Sequence, residues 1–165
     1  MKEIAVFNNE NVTLEEAKRF RVRKAVRAII FDDENNIAIV HAAKRNFYEL
    51  PGGGVEDGED FKEAITRECR EEIGCEVIIE KEIGMITEYK RRESLKKETY
   101  CYVGRIIGEK GELNLSDHER DLKISIAWVP RDKALTLIQS SDKPISDIAE
   151  FSIQRDVIFL EGVNL

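Results

Sequence analysis

From Arg21 to Phe31 polar and apolar residues alternate with a period of two, which predicts a strand. Val22, Lys24, Val26, Ala28 and Ile30 fall on one face, and Arg21, Arg23, Ala25, Arg27, Ile29 and Phe31 on the other. The turn-prone run Asp32–Asn36 predicts that Ile37–Ala42 pairs back as the second strand of a hairpin. Met1–Phe7 reads as a short strand, and Thr13 with Glu16 forms a capping box for a short helix from Thr13 to Phe20. Later, β-branched residues mark a strand over Glu76–Glu88, with a bulge at Gly84, and a return strand over Glu98–Ile107. The charged run Tyr89–Lys97 between them predicts a solvated hairpin loop, and Gly108–Lys123 a long polar loop. A last strand, Ile124–Val129, precedes a helix over Lys133–Gln139 capped by Asp132. A longer helix runs from Pro144 or Ser146 to Glu161, stopped at Gly162.

Between Gly53 and Cys75 the period changes. Phe61, Ile65, Cys69 and Ile73 recur at every fourth residue, the apolar stripe of a helix. Asp60 supplies the N-cap with Glu63 as its capping-box partner, and Gly74 the left-handed stop. Glu68, Glu71 and Glu72 then lie at i, i+3 and i+4, within an arc of roughly 100° beside that stripe. Three carboxylates so close repel one another, and burial beside an apolar face adds to the cost. A divalent cation removes that penalty, and an all-oxygen donor set suits Mg²⁺ or Mn²⁺ rather than zinc. The turn Gly52-Gly53-Gly54 can aim a backbone carbonyl at the same ion and leave amides, such as that of Gly54, for phosphate. Arg67 can pair along the helix with Glu63 or Glu71. Arg23 and Arg27, about 13 Å apart on one strand face, form a candidate phosphate-binding pair.

Composition narrows the class. A chain of 165 residues fits one domain, here taken as 1–165, with residues 1–20 as an N-terminal extension for packing or a homodimer contact. The net charge of −7 argues against a stable nucleic-acid partner. Three cysteines without a C-x-x-C pair, and two histidines, leave neither a disulfide framework nor a zinc site. No apolar run suits a signal peptide or a membrane span, so a cytoplasmic protein is expected. Tyr48, Tyr89, Tyr100 and Tyr102 are candidate stacking surfaces for a base, although strand aromatics are usually packed.

The stretch 53–75 resembles the Nudix box: Gly53, five residues, Glu59, seven residues, Arg67-Glu68, then Glu71-Glu72 and Gly74. Cys69 and Cys75 stand where that family prefers Ile, Leu or Val, and cysteine packs as a small hydrophobe. The resemblance implies an α/β/α sandwich around a mixed β-sheet. It also implies Mg²⁺-dependent cleavage of a diphosphate linkage in a nucleoside diphosphate linked to another group, by attack of metal-activated water at phosphorus. Carried over by position, Glu68, Glu71, Glu72 and the Gly53 carbonyl hold the metal, while Glu59 and Arg67 organise loop and helix. The general base is Glu68 or a glutamate outside the box, for which Glu119 is the choice. Specificity lies outside the box, leaving a nucleoside triphosphate or a nucleotide sugar as the small-molecule substrate. The rival reading is a silent nucleotide-binding or sensor domain. Such domains usually have eroded box glutamates, and here all are present.

Overall fold

The structure, a computed structural model, describes the backbone of residues 1–141 and 147–163 and their side chains except those of 118, 119 and 147–150. Seven strands form one mixed sheet: β1 (Glu3–Phe7), β2 (Arg21–Phe31), β3 (Ile37–Ala42), β4 (Phe47–Glu49), β5 (Glu76–Lys90), β6 (Leu95–Ile107) and β7 (Ile124–Val129). Its order is β1-β5-β6-β2-β3-β4, with β7 on β3. β1–β5 and β2–β6 are parallel, and the other pairs antiparallel. The helices are α1 (Leu14–Ala17), α2 (Phe61–Glu72), α3 (Asp117–Leu122), α4 (Arg131–Gln139) and α5 (Asp147–Glu161).

The alternation of β2 divides the core in two. Val26, Ala28 and Ile30 pack with Ala64, Ile65 and Cys69 of α2 on one face. Ile29 and Phe31 pack with Ala134 and Ile138 of α4 and Phe159 and Leu160 of α5 on the other. Each fully buried isoleucine among these contributes about 1.5–3 kcal/mol. Helices on both faces of a mixed sheet make the expected α/β/α sandwich.

Several expectations change. The β2–β3 hairpin pairs only at its mouth, Phe31 with Ile37, because β2 runs along β6 for its whole length and β3 pairs with β7 and β4. The charged run 89–97 is no solvated loop. β5 and β6 continue through it to a turn at Arg91–Glu93, Leu95 is buried and Lys97 pairs with Glu88. The long polar segment contains α3, and α4 starts at Arg131 behind Pro130 without a side-chain cap from Asp132. The first helix is shorter than expected but has its Thr13–Glu16 capping box, and a register shift falls between Glu82 and Gly84, where the bulge was expected. The expected start of the last helix, Pro144 or Ser146, lies outside the described residues.

Candidate active site

α2 begins where its caps dictate. The Asp60 carboxylate accepts the Lys62 and Glu63 amides, and Glu63 accepts the Asp60 amide at 2.9 Å. Gly74, at φ +66°, ends it. Burying Ile65 and Cys69 turns the adjacent Glu68 inward to 8% exposure, with Glu71 and Glu72 partly buried beside it.

The turn opposite exists because β2 and β3 separate. After β4 the chain crosses to β2, where the amides of Ala28, Val26 and Lys24's partner Val55 fix it: Ala28 to the Pro51 carbonyl, Val26 to Gly53, and Val55 to that of Lys24. Gly52 takes φ +136°, and a Cβ there would sit 2.3 Å from the Val26 carbonyl oxygen. A Cβ on Gly53 would meet Glu68 Oε1 at 2.3 Å. The missing side chains let α2 close on the sheet, which ties the turn to the glutamates in space as the spacing suggested. Gly52 N–H donates to Glu72 Oε2 at 2.7 Å. The Gly53 carbonyl, expected to face a cation, accepts the Val26 amide at 2.9 Å, which uses one of its two lone pairs.

Arg67 joins the parts. Its Nε and Nη2 bond the two Glu59 oxygens at 2.9 and 3.0 Å, Nη2 also reaches the Gly54 carbonyl at 3.0 Å, and Nη1 bonds Glu68 at 2.9 Å and Glu71 at 3.3 Å. The Arg67 hydrogen bonds hold the Glu59 carboxyl below its usual range. Glu63, the other expected partner, is engaged in the helix cap.

Burial raises the pKa of Glu68 despite Arg67 and Arg27. It pushes Glu72 up to about 8, with Arg27 opposing and Glu49 and Glu68 adding to the rise. Arg27 is the inner counter-ion, not an outward phosphate clamp. Burial disfavours its charge, but Glu49, Asp156, Glu72 and Glu68 around it leave its pKa above the ordinary value. Its Nη2 bonds Glu49 at 2.7 Å, whereas Nε and Nη1 are buried without a hydrogen-bond partner. Arg23 is exposed, with its Nη2 beside Gly54. The structure thus separates the expected pair, one arginine inside and one at the rim.

Glu49, Arg155 and Asp156 were missed by the sequence reading. Asp156 is fully buried, accepts the Leu50 amide at 3.0 Å and holds Arg155 at 2.7 Å. Two adjacent charges inside the apolar stripe of α5 were the available signal. Glu119 sits on α3, and its side chain lies outside the described residues. The segment before α3 is strapped to the end of α2, the Gly111 amide on the Gly74 carbonyl at 2.8 Å and the Asn114 amide on that of Glu71 at 2.9 Å. Tyr48 stacks on His41 and Tyr100 on Phe61, and Tyr102 is buried, so these three rings are packed. Among the described residues no three acidic, histidine or cysteine side chains stand close enough to hold a metal as they are, and Arg67 occupies the space between Glu68 and Glu71.

Comparison with known proteins bears on the family and the fold. The NUDIX domain family model matches residues 21–148. An 8-oxo-dGTP diphosphatase of Proteus vulgaris is 30% identical over 48% of this chain and 88% of that one. A nucleoside triphosphatase NudI of Salmonella arizonae is 42% identical over 33% of this chain, but the match spans only 36% of NudI. Among solved structures, a NUDIX hydrolase from Nitrosomonas europaea superposes with a TM-score of 0.60 at 19% identity, covering 82% of this chain and 90% of the other. The matched span contains the glycine turn, α2 and all of the box, and the chain belongs to the Nudix hydrolase family.

Proposed function

We propose that the chain hydrolyses a diphosphate linkage in a nucleoside diphosphate derivative, with a divalent cation, Mg²⁺ or Mn²⁺, held by Glu68, Glu71, Glu72 and the Gly53 carbonyl. One observation carries this reading. Glu68 and Glu72 are drawn out of water onto a glycine turn, and the cations around them do not offset their burial. The donor set, carboxylate and carbonyl oxygens only, suits a hard cation. That ion would take over the charge balance Arg67 now gives Glu68 and Glu71, while Arg67 stays anchored on Glu59 and Gly54. The Gly53 carbonyl accepts the Val26 amide with one lone pair and keeps the other for the ion.

When bound, the cation neutralises charge on phosphate oxygens and activates water. The chain's own residues do the rest. Glu59 and Arg67 fix the turn against α2, and Arg27 supports Glu72 from beneath. Glu68, turned inward onto the glycine turn, is one candidate to take a proton from the attacking water, and Glu119 on α3 is the second. Arg23 and Gly54, at the rim, are placed for the outer phosphates. The Proteus and Salmonella relatives are named for nucleoside triphosphates, which favours that class over nucleotide sugars. Three free, buried cysteines suit a reducing compartment.

The test is release of phosphate or pyrophosphate from nucleoside triphosphates, nucleotide sugars and ADP-ribose, with Mg²⁺, Mn²⁺ or EDTA. Turnover is expected only with a divalent ion, and Glu68→Gln and Glu72→Gln should each lower it about a hundredfold or more. Undiminished turnover in Glu72→Gln, or in EDTA, would overturn the assignment.

A further inference from the structure

β4 delivers the chain to the glycine turn, and among the described residues a strand lies along only one of its edges. That edge pairs with β3, Val40 with Glu49 and Ala42 with Phe47. On the other edge, side chains from the C-terminal helices take the place of a ladder. The Tyr48 amide donates to the hydroxyl of Ser141, just past α4, at 2.8 Å, and that hydroxyl donates back to the Tyr48 carbonyl at 3.4 Å. Two residues on, the Leu50 amide donates to Asp156 Oδ2 of α5 at 3.0 Å. The spacing is that of a strand, whose amides point to the same edge at every second residue.

A hydroxyl is enough for Tyr48, so a backbone amide alone does not call for a carboxylate. Asp156 is nevertheless fully buried in the middle of α5, where aspartate is a poor helix former, and Leu50 is fully buried with it. The carboxylate adds rigidity. Its Oδ1 accepts Arg155 Nε at 2.7 Å, so both oxygens are engaged and the charge-assisted bond to Leu50 is held in one direction. Its charge also bears on Arg27, which bonds Glu49, the residue before Leu50, at 2.7 Å.

From Leu50 the chain reaches the site at once. The Pro51 carbonyl accepts the Ala28 amide, the Gly52 amide donates to Glu72 at 2.7 Å, and Gly53 lies against the Glu68 carboxylate. We propose that Asp156, seconded by Ser141, is a positioning residue for the metal site: by fixing the run-in at Leu50 it sets where Gly52 and Gly53 stand relative to Glu72 and Glu68. α5, 106 residues along the chain from Leu50, thereby acts on the box without contributing a ligand. A misplacement of about 1 Å in such support costs on the order of a hundredfold in rate. This inference rests on the metal-dependent hydrolase reading above.

The experiment compares wild type, Asp156→Asn and Asp156→Ala, each at a temperature where circular dichroism shows it folded. Three quantities are measured: Mn²⁺ affinity by calorimetry, kcat for nucleoside triphosphates with Mg²⁺, and hydrogen exchange of the Gly52 and α2 amides by NMR in metal-free protein. Asp156→Ala is expected to weaken Mn²⁺ binding and to lower kcat by about ten- to a hundredfold each, the range for groups that support metal ligands. Gly52 exchange should rise about tenfold or more while the α2 amides, which report global unfolding, keep their rates. Asp156→Asn keeps an oxygen for the Leu50 amide and should recover most of each loss. A purely structural Asp156 would lower the melting temperature of both variants and leave the folded protein with wild-type Mn²⁺ affinity, kcat and Gly52 exchange. That result overturns the proposal, as does an asparagine variant no better than alanine. Should neither variant fold, Ser141→Ala, which removes the hydroxyl on Tyr48, is expected to speed Gly52 exchange several-fold, and unchanged exchange overturns the clamp. If wild type neither binds Mn²⁺ nor turns over any nucleotide, the hydrolase reading fails instead. Gly52 exchange in Asp156→Ala then decides the positioning role: selectively faster exchange sustains it, and an unchanged rate overturns it.

Discussion

Glu72→Gln should give a protein that is inactive yet more stable than wild type when metal is absent. In the folded chain burial pushes Glu72 from its ordinary 4.5 to about 8. Its folded pKa is therefore above the unfolded one, and the destabilisation is absent below 4.5, grows as pH rises through 4.5 to 8 and is complete above 8. At pH 7 the folded chain keeps a proton that the unfolded chain has released, a cost of at most about 3 kcal/mol, rising to about 5 kcal/mol above pH 8. Glutamine removes that cost and retains an oxygen for the Gly52 amide, which now donates to Glu72 at 2.7 Å. Thermal melts of both proteins in EDTA, from pH 4 to 9, provide the assay. The two should coincide near pH 4, with the variant higher by up to about 8–16 °C at pH 8, because each of the roughly 4 kcal/mol then at stake moves Tm by about 2–4 °C in a chain of this size. Titrations shared by both proteins cancel in the difference. Added Mg²⁺ should then raise the wild type alone, by about 2.7 kcal/mol at a hundred times Kd. A difference that stays flat with pH, or a variant less stable at pH 8, would refute the claim that Glu72 is buried at the expense of its charge.

Arg67→Ala should cost about 1–3 kcal/mol, since it leaves Glu59 without its hydrogen-bonded cation and Glu68 with Arg27 alone, and chemical denaturation would show it. Gly53→Ala should fold but lose most activity, because the new methyl displaces the flexible Glu68 carboxylate; kinetics beside circular dichroism would separate the two effects. Gly52→Ala should fail to fold stably, since its contact at 2.3 Å is with backbone and its φ is +136°. Asp60→Ala should cost about 1 kcal/mol, a fall in Tm of roughly 2–4 °C, through the cap alone.

Local chemistry was legible in the sequence. β2, β3 and β7 have the bounds their alternation predicts, and α2 starts at Phe61 because Asp60 and Glu63 cap each other. Interior charge was not legible. Lys97 and Arg27 sit in strands whose neighbours are charged, and period alone cannot tell a solvated face from one covered by a distant helix. The covering helix, α5, brings Arg155 and Asp156, and its contact with Glu49 spans 106 residues of chain. Such pairings depend on strand order, which a pattern with a period of two does not encode. α3 was hidden for a related reason: a six-residue helix with Leu122 as its one apolar residue carries no apolar stripe.

The hairpin that failed to zip is what makes the candidate site. Had β2 and β3 paired along their length, the β2 edge would have had no free amides for the crossing chain. The bonds from Ala28 to Pro51, from Val26 to Gly53 and from Val55 to Lys24 would then not exist. Without them the glycine turn could not lie against α2, and Glu68 would have no Gly53 to close upon. Arg27 stands on the same stretch of strand, within the field of Glu49, Asp156, Glu72 and Glu68. One departure from regular pairing therefore provides both the backbone ledge for the carboxylates and the buried cation beneath them. Box spacing alone specifies neither. It works here because β2 runs parallel to β6 for all eleven residues and so leaves its other edge open.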